Sequence, residues 1–235
     1  MAVSIDEVDL CPPLAVLSRA ARQALARAAR EVTFEEGERL VPLLRPPRRY
    51  LIIMEGLAGM VCVTLTGVER ILYVFHPCEI IGSRVLLKES SEAPYEIVAM
   101  GKVRALLIPE VGFMAVVRDH PEVLIAVTAV FSMRLAKLTD RLMAAMSIDV
   151  PVRLCKLLLD FADTEGEPST GPVPLTHPLT HEVMAQIIGA SRPHTSTVLG
   201  DLEKNGVVQR QSAKGLLVYP SRLEEIVSRG SFKPE

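Results

Sequence analysis

The sequence has no surplus of positive charge. Its 26 Lys and Arg stand against 28 Asp and Glu, a net of −2 over 235 residues. Bulk attraction to nucleic acid is thereby excluded, and any such binding must rest on a local patch or a helix end. Cysteine is sparse: Cys11, Cys62, Cys78 and Cys155 are scattered, with no CxxC pair. That excludes a disulfide framework and predicts free, mostly buried thiols. No apolar run is long enough to span a bilayer. The opening MAVSIDEVDLCPP lacks the basic start and apolar core of a signal peptide. A cytoplasmic protein without a membrane partner is expected. There is no Gly-rich phosphate loop, HExxH, GxSxG or paired Cys/His ligand set, so neither an enzyme nor a metal centre is expected.

What is present begins with Leu179–Val208, LTHEVMAQIIGASRPHTSTVLGDLEKNGVV. Val183, Met184, Ile187 and Ile188 recur at helical spacing. Gly189 ends that helix, because glycine takes left-handed angles cheaply. Ser191 suits the N-cap of a second helix, and Pro193 falls in its first turn, where a missing N–H costs little. Val198, Leu199 and Leu202 give this helix a buried side. Arg192, His194, Ser196 and Thr197 give it a polar one. Val207–Arg210 and Leu216–Tyr219 then read as strands around a turn at Ser212–Gly215. Two helices followed by a β-hairpin make a winged helix-turn-helix, a DNA-reading arrangement.

These residues resemble the Crp/Fnr transcription regulators. The resemblance rests on Thr180, Ile188-Gly189-Ala190-Ser191-Arg192, Val198-Leu199 and Leu202-Glu203-Lys204-Asn205-Gly206, in register without gaps. It implies that Arg192 reads a base, since a guanidinium fits guanine O6 and N7 together. The family often continues with a glutamate and, five positions after the first arginine, another arginine. This chain has Pro193 and Thr197 there, so its target should differ from the best-known family site. Ser196 and Thr197 are the further candidates for base contact. Thr180, Ser191, His194 and Lys214 are the candidates for phosphate contact, which fixes register rather than sequence.

Upstream, Leu14–Ala29 reads as helix. Phe34–Val41, Tyr50–Met54, Gly59–Leu65, Ile71–Phe75, Tyr95–Met100 and Val103–Ile108 read as short strands between turns such as Glu36-Gly37, Pro46-Pro47 and Thr66-Gly67. Many short strands suggest a barrel or jelly roll. In the Crp/Fnr family this region is a β-roll effector domain, and Gly37–Leu40, Glu55–Val63 and Cys78–Gly82 resemble its recurrent pieces. After a helical stretch at Val111–Val117 and a break at His120-Pro121, an uninterrupted helix is expected over Glu122–Ser147. Leu124, Val127, Phe131, Leu135, Leu138, Leu142 and Met146 step by threes and fours, as in a coiled coil. This is read as a dimer helix. Ser147–Pro151 interrupts it, and Val152–Ala162 is a further amphipathic helix before a loop at Thr164–Pro178.

The expected fold class is therefore α+β. A cyclic-nucleotide-binding-like β-roll occupies residues 1–116, a long dimerisation helix and hinge 117–148, and the winged helix-turn-helix 149–235. The expected protein is a homodimeric regulator reading an inverted repeat in duplex DNA, its recognition helices about 34 Å apart. RNA polymerase is an implied partner. The alternative is a ligand-, redox- or haem-sensing module whose helix-turn-helix contacts protein.

The effector is less legible. Cyclic-nucleotide members carry Arg followed by Ser or Thr after the segment that begins here at Cys78–Gly82, and this chain has Ala93-Pro94 in that place. A cyclic phosphate loses its guanidinium clamp, so cyclic AMP is not expected despite Glu79. One N-terminal cysteine, Cys11, does not supply an iron–sulfur ligand set. His76 and Cys78 could ligate haem or a metal, or Cys78 could serve as a redox thiol. A strand-end histidine and a small buried thiol is the plainer reading, so haem is possible but not favoured. An unidentified small molecule in a pocket near His76, Cys78, Glu79 and Tyr95 remains the expectation.

Overall fold

The computed structural model describes residues 4–43, 48–82, 95–165, 171–175, 177, 179–211 and 215–233. The chain divides into two compact units that meet in sequence at Leu138 and Thr139. The division falls inside the long helix that the sequence reading set apart as its own segment.

The first unit opens with three short helices rather than one: α1 (Ile5–Asp9), α2 (Pro12–Ala15) and α3 (Arg19–Ala28). Pro12 starts α2, and Ser18 caps α3 by accepting the Ala21 N–H. Eight strands follow: β1 (Arg30–Phe34), β2 (Arg39–Val41), β3 (Arg49–Glu55), β4 (Ala58–Val63), β5 (Glu69–Phe75), β6 (Ile80–Ile81), β7 (Glu96–Ala99) and β8 (Val103–Pro109). They form two four-stranded sheets, β1-β8-β3-β6 and β2-β7-β4-β5. The expected strand Phe34–Val41 is two strands, split at the Gly37 turn, where φ is +80°. Helices α4 (Glu110–Asp119) and α5 (Glu122–Ser147) follow.

The alternation of a strand explains how this unit is layered. Leu51 and Ile53 of β3, with Ala105 and Leu107 of β8, point into a core shared with Leu40, Tyr73 and Phe75 of the other sheet. Their neighbours Tyr50, Ile52, Leu106 and Ile108 point the opposite way, into a core with Leu14, Leu25, Phe113, Val123 and Val130 of the helices. Successive side chains leave a strand on opposite faces. A strand covered on both sides must therefore be continuously apolar, as Tyr50-Leu51-Ile52-Ile53-Met54 is. Tyr50 and Phe113 stack with ring centroids 3.9 Å apart.

In the second unit α6 (Val150–Glu165) starts two residues earlier than expected, with Pro151 in its first turn. Only Ile148 and Asp149 separate it from α5. There follow β9 (Val173–Leu175), α7 (His181–Ile188), α8 (Arg192–Lys204), β10 (Val208–Arg210), β11 (Leu216–Val218) and α9 (Pro220–Arg229). The expected loop at Thr164–Pro178 hides β9, which pairs antiparallel with β11 and makes a three-stranded wing, β10-β11-β9. The sequence reading also missed α9, which buries Leu223 and Ile226. The unit's core gathers Leu154, Leu158, Phe161, Met184, Leu199 and Leu202, all at most 2% exposed. Among the described residues no helix is long and apolar enough to cross a membrane.

Gly56 turns β3 into β4 at φ +82°, and an added Cβ would lie 2.2 Å from the Lys102 carbonyl oxygen. Left-handed backbone alone costs a non-glycine residue about 1–2 kcal/mol. Gly56→Ala is therefore expected to destabilise the chain by about 2 kcal/mol or more, and denaturant unfolding measures this. Wild-type stability in that variant would show that the hairpin relaxes freely.

Candidate nucleic-acid interface

The turn between α7 and α8 is fixed by three caps. The Thr180 side chain accepts the Val183 N–H at 3.1 Å and starts α7. Gly189 ends it at φ +69°, and the N–H of Ala190 reaches back to the Ala185 carbonyl at 3.0 Å. Ser191 then caps α8, accepting the His194 N–H at 3.4 Å. Within α8, Thr195, Val198, Leu199 and Leu202 are buried, while Arg192, Pro193, His194 and Thr197 are exposed. The helix thus turns an apolar side to its own core and a polar ridge outward. Arg192, His194 and Thr197 share that ridge, and the buried Thr195 settles its hydroxyl on the Ser191 carbonyl at 3.0 Å.

Each candidate has a definite chemical state. As caps, the Thr180 and Ser191 oxygens already accept a backbone N–H, which leaves each hydroxyl proton to donate to an anionic oxygen. The Thr197 hydroxyl donates to the Pro193 carbonyl at 3.1 Å, so its methyl and its lone pairs are what it offers outward. Ser196 differs from the expectation. It is half-buried and lies 2.7 Å from His181 Nδ1, turned toward α7 rather than along the exposed ridge. That contact links the two helices. Lys214 lies outside the described residues.

Arg210 and His181, which the sequence does not single out, stand beside Arg192. Arg192 and Arg210 line one groove of about 530 Å³ together with Thr180, His181, Gln211 and Leu216. Arg210 is on the wing, ion-paired to Glu203 at 3.2 Å. Burial, then the positive charges of Arg210 and Arg192, hold the His181 imidazole below its ordinary range. Two guanidinium groups thus stand at one groove beside the N-terminal end of α8, with Glu182 also in its lining. The spacing of Arg210 from Arg192 along the sequence carries no such signal. Only the return of the wing brings them together.

The Crp-like helix-turn-helix domain family matches residues 152–226. The cyclic nucleotide-binding domain family matches residues 31–120. A CRP-like cAMP-activated global transcriptional regulator of Mycobacterium tuberculosis is 26% identical over 200 residues, covering 85% of this chain and 89% of that protein. The cAMP-activated global regulator CRP of Escherichia coli is 24% identical, over 72% of this chain and 80% of its own. Among solved structures, a CRP/FNR-family transcriptional regulator from Thermus thermophilus superposes with a TM-score of 0.69 at 23% identity, over 86% of this chain and all of that one. The chain belongs to the Crp/Fnr family. It is a DNA-binding transcription regulator of the Crp/Fnr type, not an enzyme, and its first unit is the family's β-roll.

Within that Crp/Fnr β-roll, the residues expected around an effector have divergent surroundings. His76 is buried at 4% exposure. Tyr95 is half-buried against the inter-sheet core. Glu79 accepts the Tyr73 hydroxyl at 2.7 Å and faces Arg134 of α5 at 3.6 Å. Cys78 is half-buried, in the middle of a tight turn. The Ala93-Pro94 place lies outside the described residues. Cys155 is fully buried and its thiol is pushed up to about 12 by that burial, which makes it an inert core residue.

His181 yields a pH prediction. Its folded-state value is depressed, so on acidification the unfolded chain takes up the proton first, and stability falls as pH drops from the ordinary value of 6.5 toward the folded one. His181→Gln removes this contribution. The midpoint of thermal unfolding is expected to fall less between pH 7.5 and pH 5.5 in the variant than in the wild type. Identical pH profiles would show that His181 titrates as a free imidazole.

Proposed function

We propose that the protein acts as a homodimer on an inverted repeat in duplex DNA, recruits or blocks RNA polymerase there, and answers to an effector other than a cyclic nucleotide. The observation that carries the DNA reading is the outward ridge of α8, headed by Arg192 and bordered by capping hydroxyls. Arg192 reads a base edge, Thr197 offers its methyl to a neighbouring base, and Thr180, Ser191 and His194 hold phosphate oxygens. Arg210 adds a phosphate contact from the wing.

The dimer rests on α5, along a seam that differs from the expected one. Val127 is 2% exposed and faces the core of its own unit, and Phe131 and Leu138 pack against the β-roll cores. The outward stripe is instead Ile125, Thr128, Ser132, Leu135, Thr139, Leu142 and Met146, stepping strictly by three and four. Ile125, Leu135, Leu142 and Met146 are 72, 66, 60 and 77% exposed. Leu124 sits at its edge, 36% exposed. The polar members of this stripe suit burial against a second copy. Thr128 and Ser132 already donate their hydroxyls to the carbonyls of Leu124 and Thr128, at 2.8 and 2.9 Å. A hydroxyl satisfied within its own helix carries little desolvation penalty into an interface.

Against a cyclic nucleotide stand the missing arginine at residues 93–94 and the engagement of Glu79 by Tyr73 and Arg134. Relatives named as cAMP-activated match this chain over 85% and 72% of its length, and the Ala93-Pro94 pair is what argues that this chain answers to a different effector.

Sites selected from random duplexes supply the probe. On the selected site, Arg192→Ala is expected to cost about 1–3 kcal/mol and to relax one position in each half-site, measured by fluorescence anisotropy. An equal loss on every sequence would reduce Arg192 to a phosphate contact. Leu135→Glu with Leu142→Glu is expected to convert the sedimenting species from dimer to monomer, and an unchanged dimer refutes the seam. Cyclic AMP at micromolar concentration should leave the unfolding temperature unmoved.

A further inference from the structure

Three sulfur-bearing side chains from distant parts of the chain gather in the first unit. Cys11, fully buried, leads into α2. Its Sγ lies 4.0 Å from Sδ of Met54, near the end of β3. Cys78, in the turn between β5 and β6, packs against the core cluster that holds Cys11 and Met54. Cys78 Sγ lies 3.5 Å from the carbonyl oxygen of Leu10, the residue before Cys11.

The backbone at Cys78 makes this meeting notable. His76 accepts the Glu79 N–H at 3.1 Å, closing a four-residue turn with Pro77 and Cys78 in the middle. Cys78 has φ +68° and is the one non-glycine residue with positive φ among those described. Such turns ordinarily place Gly or Asn there. The turn is clamped by the Cys78 N–H on the Ile53 carbonyl at 2.7 Å and the Ile53 N–H on the Glu79 carbonyl at 3.0 Å. A thiol is thus held at a strained position, its Sγ at the residue before Cys11 and its N–H on the residue before Met54.

We propose that Cys11, Cys78 and Met54 form a binding site for a soft monovalent metal ion of the Cu(I) class. Metal–sulfur bonds of about 2.3 Å in a trigonal site put the sulfurs about 4 Å apart, the separation seen between Cys11 and Met54. Thiolate and thioether ligands together select Cu(I). A neutral thioether is a poor third ligand for zinc, and among the described residues no three His, Cys, Asp or Glu side chains gather to make a harder site. Binding changes no oxidation state. Both thiols lose their protons to solvent, the two sulfur lone pairs and that of Met54 bind the ion, and the site takes a net charge of −1. Cys78, partly exposed, is the entry point.

The test is titration of the reduced full chain with Cu(I), in competition with a chromogenic chelator and away from oxygen. One ion per chain is expected, with a thiolate-to-metal charge-transfer band in the near ultraviolet. Cys78→Gly keeps the turn's backbone preference and so keeps the fold. It should weaken binding by more than about a hundredfold, beyond the range that outer-shell partners contribute. Met54→Leu should weaken it about tenfold through loss of the soft third ligand, and Cys62→Ser should leave it unchanged. Absence of Cu(I) binding in the wild type overturns the proposal, as does equal affinity in Cys78→Gly. Displacement of Cu(I) by equimolar Zn(II) overturns the soft-ion assignment. A chain that takes no Cu(I) but joins Cys11 to Cys78 under peroxide, releasing water, refutes the metal reading in favour of a thiol switch. None of these readouts involves DNA, so the site stands or falls apart from the regulator reading.

Discussion

Arg134 is a charged side chain 7% exposed on the inner side of α5, and the geometry of the first unit depends on how it is compensated. Its guanidinium donates to the Ile80 carbonyl at 2.5 Å and stands 3.6 Å from the Glu79 carboxylate. The rings of Phe75, Phe131 and Tyr73 surround it, with centroids 4.5, 5.4 and 5.4 Å away. A buried charge left without partners would cost several kcal/mol, so the three aromatics, the carbonyl and the carboxylate must all be in place together. The requirement fixes the rotation of α5 about its axis. With Val123, Val127, Val130 and Arg134 turned inward, the opposite stripe from Ile125 to Leu135 has to face outward. The outward seam and the interior pairing are two consequences of one rotation.

The same contact ties α5 to the turn that carries Cys78. Glu79 follows Cys78 directly, and it meets both Arg134 and Tyr73, whose hydroxyl burial and the Glu79 charge push well above its ordinary range. The turn is therefore clamped from two sides, by β3 through the Ile53 backbone and by α5 through Arg134. An ion drawing Cys11, Met54 and Cys78 onto one centre would act on the residue next to the helix contact. For that to regulate anything, the ion must bind one arrangement of the turn better than another, since a ligand shifts an equilibrium only by its differential affinity.

Periodicity made most of the architecture legible, and its failures have physical causes. The bounds of α5 follow from the break at Pro121 and from an unbroken helical pattern, but its face did not. Apolar residues lie on both of its sides, one set for the β-roll and one for the outward seam, so spacing alone merged Val127, Phe131 and Leu138 with Leu135, Leu142 and Met146. Strand β9 was hidden because Val173-Pro174-Leu175 is short and contains a proline, which an edge strand tolerates. Ser196 was assigned outward because a small polar residue beside Thr197 looks exposed. The His181 imidazole across the turn claims it, and sequence distance conceals that pairing. Arg192 was legible because a cap, a proline and a glycine fix the start of α8, and the position of a residue in a first turn decides where it points.

The positive patch shows why a net charge of −2 does not argue against DNA binding. Glu203 neutralises part of Arg210, and Asp201 draws Lys204 at 3.4 Å, so the far end of α8 is close to balanced. Arg192 at the near end has no acidic neighbour in the first turn of its helix. The N-terminal partial charge of the helix adds to the same end. Positive charge is therefore less compensated at the N-terminal end of α8 than at its C-terminal end. In the proposed complex such an asymmetry would orient the helix on a phosphate backbone without bulk affinity, leaving discrimination to a few contacts at base edges. A uniformly basic helix would bind more tightly and discriminate less. The local arrangement of charge, with the caps that aim it, is what suits this chain to selective rather than general binding.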